Sequence, residues 1–323
     1  MAADALSDVL KTVRMTGAVF FNVAARNPWV AEQCPREMVL PLILPGAEHL
    51  ISFHIVTEGS CFACVIGEDD PVEVKAGEVI AFTRGDPHVM SSVPGMRAEP
   101  VPANALAGNT QLPYVVAYGE DGPATVKLIS GFLACDARPF NPLLDNLPRI
   151  LIGNRRRRGA MPCVGALIHN AMIEAEEKRA GGESILGKLA ELMFIEVVRE
   201  YLEALPFEQE GWLAGLRDPR VGRALSLMHA DPANDWGLEE LAREVGSSRS
   251  EFAERFARLV GIPPMLYLAK WRMQVASGLL STNSHIASVA AEVGYGSEAS
   301  FSRAFKKIVG VPPSVWRDQQ LAA

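Results

Sequence analysis

The chain has 323 residues, of which 49% are hydrophobic and 21% charged, so it is long enough for two or three domains and extended disorder is excluded. No apolar run approaches the roughly 18 residues of a membrane-spanning helix, and the first residues lack the basic start and apolar run of a secretory signal. Five cysteines without a regular framework fit a reducing compartment. These features predict a soluble, cytoplasmic protein with no membrane partner.

Residues 50–135 contain short β-rich runs between turn residues. The runs are HLISFHIVTEG, SCFACVIG, PVEVKAG, EVIAFTRG, PYVVAYGEDG and ATVKLISGFLACD. Strands at this spacing predict an all-β barrel or jelly roll in the N-terminal half.

Three side chains of this half form a candidate effector or metal site: Cys34, His54 and His88. His54 alternates with Phe53 along its strand and is predicted to face the barrel interior, and His88 begins a strand after a glycine-rich turn. Cysteine with two histidines suits a soft divalent metal such as zinc and is oxidation-sensitive. Three interpretations stay open: hydrogen-bonded histidines with a buried cysteine, a metal or redox site, and an organic effector held by the two histidines.

The CFAC stretch at Cys61–Cys64 invites a redox or zinc interpretation. On a strand these two positions face opposite sides and lie about 10 Å apart. A disulfide requires Cα atoms within about 7 Å. We therefore expect packing roles for both, and also for Cys135 and Cys163.

The segment after the barrel is predicted to be helical. NRRRRG at Asn154–Gly159 is a charged loop, either solvated or in contact with phosphates or an acidic effector. SILGKLAELMFIEVVREYLEAL is an apolar helix whose wide stripe predicts a dimer seam or a contact between domains. PFEQEGWLAGLRDPR at Pro206–Arg220 is predicted to be a linker.

A sequence repeat lies near the C-terminus. EVGSSRSEFAERFARLVGIPP at Glu244–Pro264 is followed by EVGYGSEASFSRAFKKIVGVPP at Glu292–Pro313. Each copy predicts a helix, a glycine turn and a second helix that stops at a glycine before two prolines, the signature of a helix-turn-helix.

Residues 217–323 carry 13 Lys/Arg against 11 Asp/Glu, a net charge of +2, while the remainder carries 18 against 27, a net charge of −9. The acidic total therefore does not exclude DNA.

The second helix of each copy shows one face to solvent at about 100° per residue. Its N-terminal half is expected to read bases and its later residues to contact phosphates. Arg303 can take a guanine bidentately, and Glu254 can accept from cytosine N4. The predicted DNA-binding residues are Arg249, Ser250, Ala253, Glu254 and Arg258 in the first copy, and Glu298, Ala299, Ser302, Arg303, Lys306 and Lys307 in the second.

A helix of about 16 residues, within PMLYLAKWRMQVASGLL, joins the copies and spans about 24 Å. Residues 217–317 resemble the DNA-binding domain of the AraC/XylS family of bacterial transcription regulators, on KWRMQVASGLL and VAAEVGYGSEASFSRAFKKIVGVPPSVWR. The resemblance implies a seven-helix domain that binds two adjacent major grooves, with Arg272 and Arg303 near DNA. Glu254 departs from the basic or neutral residue commoner there.

AGEVIAFTRGDPH resembles the second cupin motif through Gly77, Gly85 and His88, with Thr83 where proline is usual. Together with LACDARPFNPLLDNLPRIL it resembles the cupin-type sensor of an AraC subgroup that includes reactive-chlorine-responsive regulators. The resemblance implies promoter DNA and RNA polymerase as partners, activation as the output and a homodimer. The first cupin motif, with its paired histidines and glutamate, is not present.

The predicted fold class is a multi-domain α+β protein. We expect a cupin-like barrel at 1–150, a helical linker or dimerisation region at 151–215 and a double helix-turn-helix domain at 216–323. The leading functional hypothesis is a transcription regulator, not an enzyme, that responds to a small molecule, a metal or an oxidant. The alternatives are a cupin-type oxygenase or isomerase tethered to DNA, and an architectural DNA binder without a sensor.

Overall fold

The computed structural model describes residues 4–13, 15–43, 46–102, 113–154, 163–177, 179–206, 209–282 and 284–322. The strands are β1 Met15–Ala25, β2 Val30–Glu32, β3 His49–Glu58, β4 Ser60–Val65, β5 Val72–Lys75, β6 Val79–Phe82, β7 His88–Ser91, β8 Tyr114–Tyr118, β9 Val126–Cys135 and β10 Ile150–Gly153. The helices are α1 Ala5–Thr12, α2 Arg36–Ile43, α3 Pro142–Asn146, α4 Cys163–Glu177, α5 Gly182–Ala204, α6 Trp212–Arg217, α7 Pro219–Ala230, α8 Leu238–Glu244, α9 Arg249–Val260, α10 Pro264–Leu280, α11 Ile286–Glu292, α12 Glu298–Val309 and α13 Pro313–Ala322. Across these ranges, no helix has both the length and the apolar character needed to span a membrane.

The chain divides into two compact units. The barrel unit comprises Met15–Cys135 and Leu147–Ala204, and the helical unit comprises Met1–Arg14, Asp136–Asn146 and Leu205–Ala323. The predicted boundaries at 150 and 215 differ from this division, because α1 packs against α7 and α10, and α3 packs against α6. Two short segments from the N-terminal half therefore belong to the helical unit.

The barrel unit contains two sheets. Within the described residues their strand orders are β10-β6-β3-β9-β1-β8 and β2-β7-β4-β5. Neighbouring strands are antiparallel except β1 and β8, which are parallel. Apolar residues from the inner faces of both sheets form one core, among them Phe21, Leu50, Phe82 and Cys61. The predicted jelly-roll-like architecture is confirmed, although β1, β2 and β10 were not predicted from the sequence.

Helices α4 and α5 cover the outer face of the larger sheet. A side chain at Gly17 of β1 would approach the Gly187 carbonyl oxygen of α5 to 2.6 Å, and one at Gly153 of β10 would meet Val197 at 2.3 Å. Glycine is therefore required at both places for the helix to lie close to the strands. The predicted helix is confirmed as α5, and Leu189 and Val198 of its apolar stripe are buried.

The helical unit is built around α10. Helices α7 to α13 are the seven implied by the sequence resemblance, counted over residues 219–282 and 284–322. The segment 206–220 is not a plain linker, because it forms α6 with Trp212 fully buried. The indole Nε1 of Trp212 donates to the Tyr267 hydroxyl of α10 at 2.8 Å, and its backbone N–H donates to Asn146 Oδ1 at 2.9 Å. These bonds fix α6 and α3 to the joining helix.

Candidate nucleic-acid interface and barrel cavity

Each copy of the repeat folds as two helices joined at a glycine. Gly246 has φ 65° and Gly294 has φ 79°, a region that glycine adopts without a Cβ penalty. A side chain at Gly294 would also meet the backbone oxygen of Ala233 at 2.5 Å. The turn of the second copy is thus held against the rest of its unit as well as by its own backbone.

The second helix of each copy begins and ends with the same devices. The Ser248 hydroxyl accepts from the Glu251 N–H at the start of α9, and the Ser297 hydroxyl accepts from the Ser300 N–H at the start of α12. Serine at this position satisfies a backbone donor that the helix leaves without a partner. Both helices end at a left-handed glycine, with φ 84° after α9 and 94° after α12.

The orientation predicted for α9 and α12 is confirmed. Phe252, Phe256, Phe301 and Phe305 are at most 1% exposed and anchor the inner faces. The other faces carry the predicted DNA-binding residues, every one of which is exposed or half-buried: Arg249, Ser250, Ala253, Glu254, Arg258, Glu298, Ala299, Ser302, Arg303, Lys306 and Lys307. Their contact with DNA stays a prediction.

Ion pairing separates two kinds of basic residue on these helices. Arg255 donates from Nε to Asp218 Oδ2 at 2.8 Å, and Arg220 pairs with Glu251, so these charges brace α9 against α7. Five basic residues of α9 and α12 have no acidic partner within the part of the chain that the structure describes: Arg249, Arg258, Arg303, Lys306 and Lys307. These five charges lie on the exposed faces, as phosphate contact requires.

The barrel unit has a partly open cavity of about 170 Å³ between its sheets. Its walls are mostly apolar and aromatic, and His54 and His88 lie together on them. His54 does face the interior, as predicted. The polar groups that line it besides the two histidines are Glu32, Gln33, Tyr118 and Ser130.

His54 and His88 form a hydrogen-bonded pair, with 2.8 Å between their Nε2 atoms. His88 Nδ1 lies 3.0 Å from the Asp86 carbonyl oxygen, which can only accept, so this nitrogen carries a proton. A neutral His88 therefore accepts at Nε2 from the Nε2–H of His54. His54 Nδ1 then accepts from the Ser130 hydroxyl at 2.7 Å. One chain of donors and acceptors thus fixes both tautomers.

Burial keeps this pair uncharged. It lowers the pKa of His54 well below the usual value and the pKa of His88 to about 4, against the weaker opposing effect of Asp86 on the latter. Glu32 is the ionisable acid on the cavity wall, and both its carboxylate oxygens accept from Arg97 at 2.8 Å. The cavity therefore presents no unbalanced charge at neutral pH.

Comparison with known proteins identifies a family for each of the two parts of the chain. The family model described as Cupin matches residues 4–203, and that described as Helix-turn-helix domain matches residues 241–319. A putative AraC-like transcription regulator of Streptomyces lividans is 32% identical over 322 residues, which cover 97% of this chain and 98% of that protein. The chain belongs to the AraC-like family of transcription regulators. It combines a cupin domain with a DNA-binding helix-turn-helix region.

Two further relatives of this AraC-like regulator have individual names. The HTH-type transcriptional regulator MtrA of Neisseria gonorrhoeae is 28% identical over 268 residues, covering 82% of this chain and 85% of that protein. The RCS-specific HTH-type transcriptional activator RclR of Escherichia coli (strain K12) is 30% identical over 147 residues, covering 45% of this chain and 51% of that protein. The sequence analysis inferred a resemblance to the AraC subgroup that includes reactive-chlorine-responsive regulators, and the similarity to RclR confirms it.

Arg272 of the AraC-like regulator lies half-buried on α10. Its guanidinium donates to the carbonyls of Pro232 at 2.7 Å, Asn234 at 2.9 Å and Gly294 at 3.4 Å, and lies 5.6 Å from the Tyr295 ring centre. Three of its donor groups are thus engaged inside the helical unit. These hydrogen bonds position the turn of the second copy. Contact of Arg272 with DNA, which the resemblance implies, stays a prediction.

The predicted metal set Cys34, His54 and His88 is not assembled. The described residues hold no group of three or more His, Cys, Asp or Glu placed to bind a metal ion. Cys34 is buried in the apolar core, and burial raises the pKa of its thiol. A zinc site normally requires at least three protein ligands, so these residues do not fit a resident zinc ion. The interpretation as hydrogen-bonded histidines with a buried cysteine is the one that the geometry supports.

The other cysteines pack as predicted where they are described. Cys61 is fully buried, and this burial raises the pKa of its thiol to about 12. Cys64 points to the other face of β4, where its thiol donates to the Glu68 carbonyl. Cys135 is buried as well. The side chain of Cys163 and the arginine run at 155–158 lie outside the described residues.

Apart from the two histidines, the polar cavity groups were not predicted from the sequence: Trp29, Glu32, Gln33, Tyr118 and Ser130. Gln33 follows the short strand β2 and Trp29 precedes it, and no strand was predicted there. Ser130 alternates inward with Leu128 and Phe132 on β9. That alternation is the signal that could have identified it.

Proposed function

We propose that the AraC-like regulator places α9 and α12 in two successive major grooves of promoter DNA. Both helices begin with a capped, exposed N-terminal turn, the part of a recognition helix that contacts bases. The joining helix α10 has 17 residues and spans about 26 Å. That length suits two helices held near the roughly 34 Å repeat of the major groove.

Within this arrangement the exposed residues divide by position. Arg303 takes a guanine through its bidentate fork, and Glu254 accepts from a cytosine amino group. Lys306, Lys307 and Arg258 contact phosphates and set the salt dependence of binding. Arg249, Ser250, Ala253, Glu298, Ala299 and Ser302 complete the two base-facing surfaces.

We propose further that the barrel cavity receives the signal and that the output is activation through RNA polymerase. The cavity supports this because it is walled by apolar side chains and holds a small set of polar groups, the usual composition of a ligand site. The helix α5 leaves Ile185 and Leu192 45% and 49% exposed beside its packed face, which supports a homodimer through that side. We assign the chain no catalytic reaction, because the cupin-enzyme alternative requires a set of metal ligands that the two histidines do not complete.

The test begins with selection of duplexes from a random-sequence pool by the full-length protein. We expect binding to the selected duplex at least about a thousandfold tighter than to its scrambled version at physiological salt. In vitro transcription with RNA polymerase from a template carrying that duplex upstream should then rise on addition of the protein. Equal affinity for selected and scrambled duplexes would contradict the proposal of base reading, and specific binding without a transcriptional effect would contradict activation.

A further inference from the structure

The cavity of the barrel unit is matched in size to a single ring. Its volume is about 170 Å³, and an apolar protein cavity of about 150 Å³ is large enough to hold benzene. Phe21 and Phe132 meet edge to face at 6.2 Å and 86°, and Trp29 stacks on Tyr118 at 6.2 Å and 26°. These aromatic walls favour a flat, apolar ligand over a flexible polar one.

The charges on the cavity wall disfavour an ionic ligand. Both histidines are neutral at pH 7, and their four ring nitrogens are already in hydrogen bonds to Ser130, to each other and to Asp86. Glu32 is neutralised by Arg97. A carboxylate or an ammonium ion entering this cavity would thus lose its hydration without gaining a partner of opposite charge.

Some polar groups of the wall retain hydrogen-bonding capacity. Ser130 donates to His54, so the lone pairs of its oxygen stay available to accept a hydrogen bond. Gln33 donates one N–H to Ser52 at 2.9 Å, and its amide oxygen has no partner among the described residues. Trp29 is 2% exposed, and its Nε1–H is buried without a partner in the same part of the chain. A buried donor without an acceptor is costly, and an oxygen of a ligand would relieve it.

We propose that the cavity binds an uncharged molecule of the size of a substituted benzene ring that carries one hydroxyl group. The ring lies between the aromatic walls. The hydroxyl donates to Ser130 or Gln33 and accepts from Trp29 after a small rotation of the indole. This inference rests on the proposed function, in which the cavity receives the signal, and it names the chemical class of that signal.

Calorimetric titration of the full-length protein at pH 7 tests the class directly with three compounds that share a methyl-substituted benzene ring. These are p-cresol, which carries a hydroxyl group, toluene, which lacks it, and 4-methylbenzoate, which is anionic. We expect p-cresol to bind at one site per chain, toluene about tenfold more weakly, and 4-methylbenzoate at least about a hundredfold more weakly.

Two neighbouring residues of β8 provide a matched pair of variants. Val116 lines the cavity, whereas Val115 is 70% exposed on the other face of the same strand. Val116→Phe fills the cavity and should abolish p-cresol binding, and Val115→Phe should bind as wild type does. Trp29→Phe should reduce the preference for p-cresol over toluene, because it removes the indole donor and retains an aromatic wall.

The inference is overturned if 4-methylbenzoate binds as tightly as p-cresol, if Val116→Phe leaves binding unchanged while circular dichroism shows it folded, or if none of the three compounds binds. The same preparations are tested for binding to their selected duplex without any ligand. Loss of specific DNA binding there would overturn the proposed function alone. Specific DNA binding with no ring compound bound would overturn the ligand class alone.

Discussion

The two helix-turn-helix copies share a scaffold and differ in the charge that they expose. Both have a serine cap, two buried phenylalanines and a left-handed glycine at the same relative positions of α9 and α12. Aligned on these phenylalanines, Glu254 of the first copy corresponds to Arg303 of the second, and Ala257 corresponds to Lys306. Burial fixes the inner face of each helix, so the outer face is free to vary and the two copies can read different sequences.

The difference extends to how each helix uses its charges. In α9, Arg255 and Glu251 are engaged with Asp218 and Arg220 of the same unit. Two basic residues of α9 have no acidic partner within the described residues, Arg249 and Arg258, and the acid Glu254 is exposed on the same helix. In α12 three basic residues have none: Arg303, Lys306 and Lys307. We therefore expect the second copy to supply most of the electrostatic affinity and the first copy to supply mainly discrimination.

The largest effect is expected for Arg303→Ala. Loss of a bidentate contact to guanine should weaken binding to the selected duplex by about 1–3 kcal/mol, roughly 5- to 150-fold. Fluorescence anisotropy titration measures it. The control is Arg243→Ala on α8, where an exposed arginine near Glu240 is removed instead. Equal losses in the two variants would show that Arg303 acts through bulk charge and would remove the basis of the comparison.

The next effect is expected for the double variant Lys306→Ala, Lys307→Ala. Because lysine contacts to phosphate carry no sequence information, affinity should fall by a similar factor for the selected and the scrambled duplex. The slope of log affinity against log salt should shrink by about 2 units, since each neutralised phosphate contributes close to 0.9. An unchanged slope would place these two lysines away from the DNA backbone.

A smaller effect on DNA affinity is expected for Arg272→Lys, together with a clear loss of folding stability. Lysine keeps the charge but cannot bond Pro232, Asn234 and Gly294 at once, so the free energy of unfolding should fall by about 1.5–3 kcal/mol. Affinity for the duplex should fall only a few-fold. Urea denaturation followed by tryptophan fluorescence measures the first quantity and anisotropy the second. Undiminished stability with a large loss of affinity would make Arg272 a direct DNA contact.

The smallest effect is expected for Glu254→Ala. Removing an exposed acid from α9 should tighten binding to the scrambled duplex by about 1 kcal/mol or less, since exposed charge interactions are weak. On the selected duplex, loss of the cytosine contact should offset this gain, so the preference for the selected duplex should fall. A second round of selection with this variant should show relaxed preference at one base pair. Glu239→Ala on α8 makes the same charge change outside α9. A relaxed base pair in that control would contradict the assignment of Glu254.

Local pattern made the helical unit predictable. Glycine after an apolar stripe and phenylalanines four apart are signals within one or two turns of helix. The turn and the second helix that they predict were confirmed at Gly246 and Phe252. The hydrogen bonds of Arg272 could not be predicted from such local patterns. Its partners Pro232, Asn234 and Gly294 lie 22 to 40 positions away along the chain.

In the barrel unit, contacts between residues distant in sequence limited the prediction more strongly. Strand alternation placed His54 inside, but the 2.8 Å distance between His54 and His88 depends on how the sheet that contains β3 packs against the sheet that contains β7. The sequence could not exclude Cys34 from that pair, since its position is set by packing in the apolar core. Nor could it assign Asn146 and Phe140 to the helical unit, where Phe140 N–H donates to Gln274 Oε1 at 2.9 Å.

The most direct test of two separately reading helices is a missing-base interference footprint of the full-length protein on its selected duplex, compared between wild type and Arg303→Ala. We predict two blocks of required bases about 10 base pairs apart, centred on successive major grooves. In Arg303→Ala only one block should lose a required guanine while the other is unchanged. A single block in the wild type, or loss of both blocks in the variant, would contradict two separately reading helices.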